Sequence, residues 1–172
     1  SEEETALFSD GTDQEESNEE TQEVQVTVSV SKDGKFLNDK DGNPMAGRSI
    51  TLTGKNTYNM DDALKLAHDL YYPGGAEAGY DYHEDENGIY DGIIYKLWGY
   101  NKNDVPNIKS ILNHDTRNLG SALSRTVQNG DELHFFIQAQ NGKDKFAFFT
   151  ETEATYTQGQ EITLKLRQRN DF

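Results

Sequence analysis

The densest run of residues able to do chemistry is "YYPGGAEAGYDYHEDENGIYDG", residues 71–92, where rings, glycines and acids are packed together. Asp81, Glu84, Asp85 and Asp91 are its candidate calcium ligands, since a hard cation takes about six to eight oxygens and carboxylates on an irregular loop can supply them. The segment matches the D-x-[DN]-x-[DN]-G calcium-loop spacing only loosely, so a solvated acidic connection is the expectation and calcium the one cofactor considered. Tyr80, Tyr82 and Trp98 are the candidate ligand-binding residues. Rigid rings with polar tips suit an amphipathic surface such as a glycan or a protein, and Gly74, Gly75 and Gly79 would let a ligand approach the backbone. A binding role predicts one exposed patch of these rings. The competing expectation is that Tyr71, Tyr90 and Trp98 pack in the core.

Other constellations are weaker. His68, His83, His114 and His134 show no zinc-site spacing. His68 is expected at the polar boundary of a helix and His134 in a strand, both as structural residues. Ser110 or Ser124 with His114 and Asp115 lacks a G-x-S-x-G elbow. "YPGGAEAGY" lacks the Lys-Ser/Thr of a phosphate loop. "NDKDGNP" (residues 38–44) reads as a turn, with Asp39 and Asn43 bonding local backbone and Gly42 at positive φ. Lys96, inside an apolar strand, is a candidate for an isopeptide bond to an Asn or Asp. No catalytic set is expected.

The elements that would carry these residues follow from periodicity. In "EVQVTVSVSKDGK", Val24, Val26, Val28 and Val30 alternate with polar residues, which gives a half-buried strand ending at Asp33-Gly34. "RSITLTG" repeats the pattern with Ile50 and Leu52. Met60, Ala63, Leu64, Ala67 and Tyr71 then fall at helical spacing, with Asn59 as N-cap, Asp61 and Asp62 in the first turn, and Tyr72-Pro73-Gly74-Gly75 as the stop. "IIYKLWGY" (93–100) reads as a central strand, "NIKSILN" and "SALSRTV" as short segments, and "DELHFFIQAQNGKDKFAFF" as a hairpin turning near Asn141-Gly142. "EITLKLR" closes the chain with Ile162, Leu164 and Leu166 on one face. The fold class is α+β, mainly β: an antiparallel or mixed sheet with one covering helix.

At 172 residues, one domain is expected. The net charge of −15 is uneven: residues 1–23 hold ten acids and no base, leaving 21 acids against 16 bases from Val24 onward. That acidic segment carries only Leu7 and Phe8 as large apolar residues and is expected to be a disordered tail, with a β-rich domain over residues 24–168. An acidic chain without a basic stripe is a poor partner for nucleic acid or anionic membrane. No run of 18 apolar residues is present, so membrane insertion is not expected. The acidic start reads as a chain whose targeting segment has been removed, and the absence of cysteine rules out a disulfide scaffold.

The order of these pieces over residues 24–167, clearest at "DDALKLAHDLYYPGGAEAGY", "YKLWG", "VQNGDEL" and "FAFFTETEATYTQGQEITLKL", resembles a module of secreted and cell-surface proteins of Gram-positive gut bacteria. That module is a β-grasp-like unit similar to the C-terminal domain of transcobalamin-type proteins. The resemblance implies a β-grasp-like fold, an extracellular or cell-surface location and a non-enzymatic role. Cobalamin binding does not carry over, because the transcobalamin relatives enclose the corrinoid with a separate large helical domain that this chain lacks. The leading expectation is a surface module for binding or display of a glycan or protein ligand. A small-ligand carrier, which predicts a concave apolar pocket, and an accessory domain of a glycan-processing enzyme, for which an enzyme predicts converging acids, are the alternatives.

Overall fold

A computed structural model describes residues 20–84, 92–115, 122–140, 145–151 and 153–169. Its strands are β1 (Gln22–Lys32), β2 (Lys35–Phe36), β3 (Arg48–Lys55), β4 (Tyr58–Asn59), β5 (Asp81–His83), β6 (Ile93–Leu97), β7 (Tyr100–Asn101), β8 (Ile108–Leu112), β9 (Thr126–Val127), β10 (Glu132–Ile137), β11 (Phe146–Phe149) and β12 (Leu166–Arg169). Two helices, α1 (Met60–Tyr71) and α2 (Gly75–Gly79), lie between β4 and β5. The fold is α+β and mainly β. The expected acidic tail lies, for residues 1–19, outside the described residues, and β1 opens at Gln22, just inside the segment assigned to that tail.

β1 is the axis of a five-stranded mixed sheet. β3 pairs antiparallel with its first part and β2 with its end, while β10 runs parallel along its other edge and β8 pairs antiparallel with β10. The valine alternation works as expected: Val24, Val26, Val28 and Val30 are all under a tenth exposed and share a core with Ile50, Leu52, Leu133, Phe135 and Ile137. Each such side chain, fully buried, contributes about 1.5–3 kcal/mol. α1 covers this face through Met60, Ala63, Leu64 and Ala67.

Asn59 caps α1 in a reciprocal box. Its Oδ1 accepts from the Asp62 N–H at 2.9 Å, and Asp62 Oδ2 accepts from the Asn59 N–H at 3.0 Å. Replacing Asn59 with alanine should cost about 1 kcal/mol, read as a melting temperature lower by roughly 2–4 °C.

The 38–44 turn also forms as expected. Asp39 Oδ1 accepts from the Asp41 and Asn43 N–H groups at 2.9 and 2.8 Å, its Oδ2 takes Arg48 at 2.8 Å, and Gly42 has φ 86°. The Arg48 bond, together with the two backbone N–H groups, holds the Asp39 carboxyl down at about 2.

Three expectations need correction. β6 is central, but in a separate three-stranded sheet with β5 and β7, not in the main one. The expected hairpin of β10 and β11 does not form, because β10 is already paired on both edges, by β1 and β8; β11 pairs with β12 instead. Its expected turn at Asn141-Gly142 lies outside the described residues. Finally, Ile162, Leu164 and Leu166 stay 41–62% exposed: the first two precede β12, which opens at Leu166 and pairs with β11 apart from the main sheet.

Candidate functional site

Tyr80 and Trp98 do meet, but around a buried histidine and not in an exposed patch. His68, expected at a polar boundary, is fully buried. It lies one turn after Leu64 on the buried stripe of α1, and its ring packs against Trp98 at 4.7 Å, Tyr80 at 5.0 Å and Tyr72 at 5.8 Å between centroids. Its two nitrogens have opposite partners. The Leu64 carbonyl, 2.8 Å from Nδ1, can only accept, and the Trp98 backbone N–H, 3.0 Å from Nε2, can only donate. Both bonds are satisfied by the neutral imidazole carrying its proton on Nδ1. Burial holds the ring's pKa down at about 4, against the opposing pull of the Leu64 carbonyl.

Trp98 itself is strained. With Gly99 it makes the two-residue turn joining β6 to β7, and both have positive φ, 50° and 79°. A tryptophan holds that conformation because its surroundings fix it: the backbone N–H is on His68, the indole N–H donates to the Asn38 carbonyl at 2.8 Å, and the ring is 6% exposed. Gly99 must be glycine on a second count, because a Cβ there would collide with the Tyr72 hydroxyl. Tyr80 donates to Asp61 from its hydroxyl, whose pKa burial and that bond push upward. Tyr82 accepts from the Leu123 N–H at 3.2 Å and lies against Gly92. The three rings are therefore half-buried or buried packing groups with occupied polar tips, and the exposed patch they were expected to form is absent.

The calcium candidates are divided. Asp81 and Glu84 are described, with Asp81 Oδ1 lying 2.8 Å from His83 Nε2, whereas Asp85 and Asp91 lie outside the described residues. Among the described residues no group of three or more His, Asp or Glu side chains is placed to hold a metal. Lys96 does stand in one row with Asp81 and Asn101, but an isopeptide bond forms beside a buried acid, and here the Asp81 carboxylate is 45% exposed and Asn101 is exposed.

A site that sequence reasoning passed over lies on the sheet face opposite α1. Alternation turns Thr27, Ser29 and Ser31 of β1 outward, beside Glu132, His134 and Phe136 of β10. β11 covers part of this face: Phe146 packs on Ile111 and Phe136, and Phe148 stacks on His114 at 4.2 Å. Between β11 and Phe36 of β2 runs a groove of two cavities, about 220 and 180 Å³, which share Phe36, His134, Phe146 and Ala147. Its floor is polar. The His134 Nε2 lies 2.8 Å from the Ser31 hydroxyl, and burial, aided by the nearby His114, lowers the His134 pKa to about 4. Lys145 lines one end, and Glu132 with His114, 3.2 Å apart, the other. Phe36, a wall of both cavities, is 49% exposed. The signal in the sequence was the small hydroxyl residues filling the outward positions of β1, opposite the valines.

A mixed-sheet α+β domain with an aromatic-walled, polar-floored groove is thus the class that fold and site define. No protein-family model matches the chain, and no curated protein matches it. Among the described residues no helix is long and apolar enough to cross a membrane.

Proposed function

We propose that the chain is an extracellular, non-catalytic module of a bacterial surface system, used for binding or display, and that its outer-face groove is where the ligand docks. The observation that carries this reading is the groove's composition. Phe36 is held half in water beside hydroxyl, imidazole and amine groups, an arrangement suited to an amphipathic ligand and of little use to the core. The Ser31–His134 pair has hydrolytic residue types, but Ser31 is 8% exposed near the end of β1, and among the described residues no third group is placed to orient the imidazole, which supports binding over catalysis.

The β-grasp relationship belongs to the same proposal. Support comes from the strand order β3–β1–β10–β8, with the first and last long strands parallel at the centre and α1 crossing between them. A carrier role has less support, since the groove is an open trough with a polar floor.

The test is retention of the labelled protein on immobilised mucin, purified Gram-positive wall polysaccharide and extracellular-matrix protein. Wild type should be held on at least one surface, and Phe36→Ser should lower that retention at least tenfold. Equal retention of the two proteins on every surface, or release of cleaved products, would overturn the proposal.

A further inference from the structure

We propose that the groove accepts a glycan chain of at least two sugar rings, read chiefly by side chains; this rests on the binding reading above. The first argument concerns the backbone. A peptide strand binds a sheet by adding to a free edge, but the groove's floor is β1 and β10, and both are paired on either side. Their N–H and C=O groups are committed to the ladders, so the floor meets an occupant through side chains.

The second argument is the chemistry of those side chains. Thr27, Ser29 and Ser31 line it with hydroxyls and His134 with an imidazole; Ser31 and His134 bond each other and Ser29 accepts from the Gly47 N–H at 2.8 Å, which leaves each hydroxyl further donor or acceptor capacity. Groups with both capacities match sugar hydroxyls, which also have both. A peptide or lipid offers no comparable density of such partners. The walls supply the other half of the recognition. Phe36, 49% exposed, on one side and the partly exposed Phe148 on the other offer phenyl surfaces to the apolar C–H faces of pyranose rings, while Phe146 lines both cavities as a mostly buried ring.

The third argument is shape. The two cavities adjoin, sharing Phe36, His134, Phe146 and Ala147, and each is small, at about 220 and 180 Å³. Two compact units linked in a chain fit this outline better than one bulky ligand. Lys145 at one end adds a site for an acidic sugar.

The experiment is an amide-shift titration of the full chain with cellotetraose, xylotetraose, mannotetraose, chitotetraose and a hyaluronan tetrasaccharide, and separately with an extended apolar octapeptide. At least one tetrasaccharide should shift the Ser31, Phe36, His134 and Phe146 amides and leave Tyr80 and Trp98 unmoved. The matching disaccharide should bind at least tenfold more weakly, and Phe36→Ala should lose at least tenfold in affinity with an unchanged melting temperature. If the octapeptide shifts the groove and no glycan does, the glycan assignment is overturned while the binding module stands. If no probe shifts it, the assignment is likewise overturned, and the Phe36→Ser retention experiment decides separately whether the binding reading survives.

Discussion

Replacing His68 with alanine should destabilise the protein by roughly 3–5 kcal/mol, the largest loss expected from any single substitution considered. Two effects add. The missing ring leaves a cavity walled by Trp98, Tyr80 and Tyr72, which cannot collapse freely because each is anchored: Trp98 to Asn38, Tyr80 to Asp61, and Tyr72 against Gly99. The Trp98 N–H also loses its acceptor in a buried site, and Trp98 then holds its φ of 50° without that anchor. His68→Leu separates the two effects, because it largely refills the space without restoring the acceptor; its cost should be about 1–3 kcal/mol. Urea unfolding of the three proteins measures both numbers. An alanine variant within 1 kcal/mol of wild type would show that the cage does not depend on its centre.

The second large effect is on pH. The folded-state pKa values of His68 and His134 lie at about 4, against 6.5 for an exposed imidazole. As pH falls below 6.5 the unfolded chain takes up protons that the folded one refuses. Stability is therefore complete above that value and is lost as pH drops towards 4, with roughly 3 kcal/mol at stake for His68 alone. Asp39 acts in a different window. Its carboxyl is lowered from 3.8 to about 2, so its contribution survives to pH 3.8 and is lost only below that. Urea midpoints at pH 7.5, 5.5 and 4.5 should fall in that order, and His68→Leu should reduce the fall, leaving the part that His134 contributes. A wild-type midpoint unchanged from pH 7.5 to 4.5 would refute the assignment of a buried neutral ring.

What could be read from the sequence was whatever is encoded locally. Val24 to Val30 show their buried face by simple alternation, Asn59 marks a helix start three residues before the acid that completes its box, and Asp39 with Gly42 spells out a turn. What could not be read depends on partners distant in the chain. "DELHFFIQAQNGKDKFAFF" has a hairpin's local pattern, but β1, about a hundred residues earlier, occupies the edge that β11 would need. Trp98 gave no turn signal, because tryptophan is disfavoured at positive φ and tolerates it here only through His68 and Asn38. The groove was hidden for a similar reason: Ser29 and Ser31 look like solvent-facing filler until Phe36 and Phe146, from opposite ends of the domain, wall them in.

The parallel pairing of β1 with β10 also dictates when this protein can fold. Ser31 and His134 are neighbours in the sheet but 103 residues apart in the chain. Closing so long a loop costs entropy before any contact repays it, so acquisition of the native state should be slow, in the millisecond-to-second range of topologies dominated by distant contacts. A polypeptide emerging N-terminus first would present the valines of β1 with one flank open until Ile137 had appeared. Helix α1 and the 38–44 turn can form early; the sheet centre cannot.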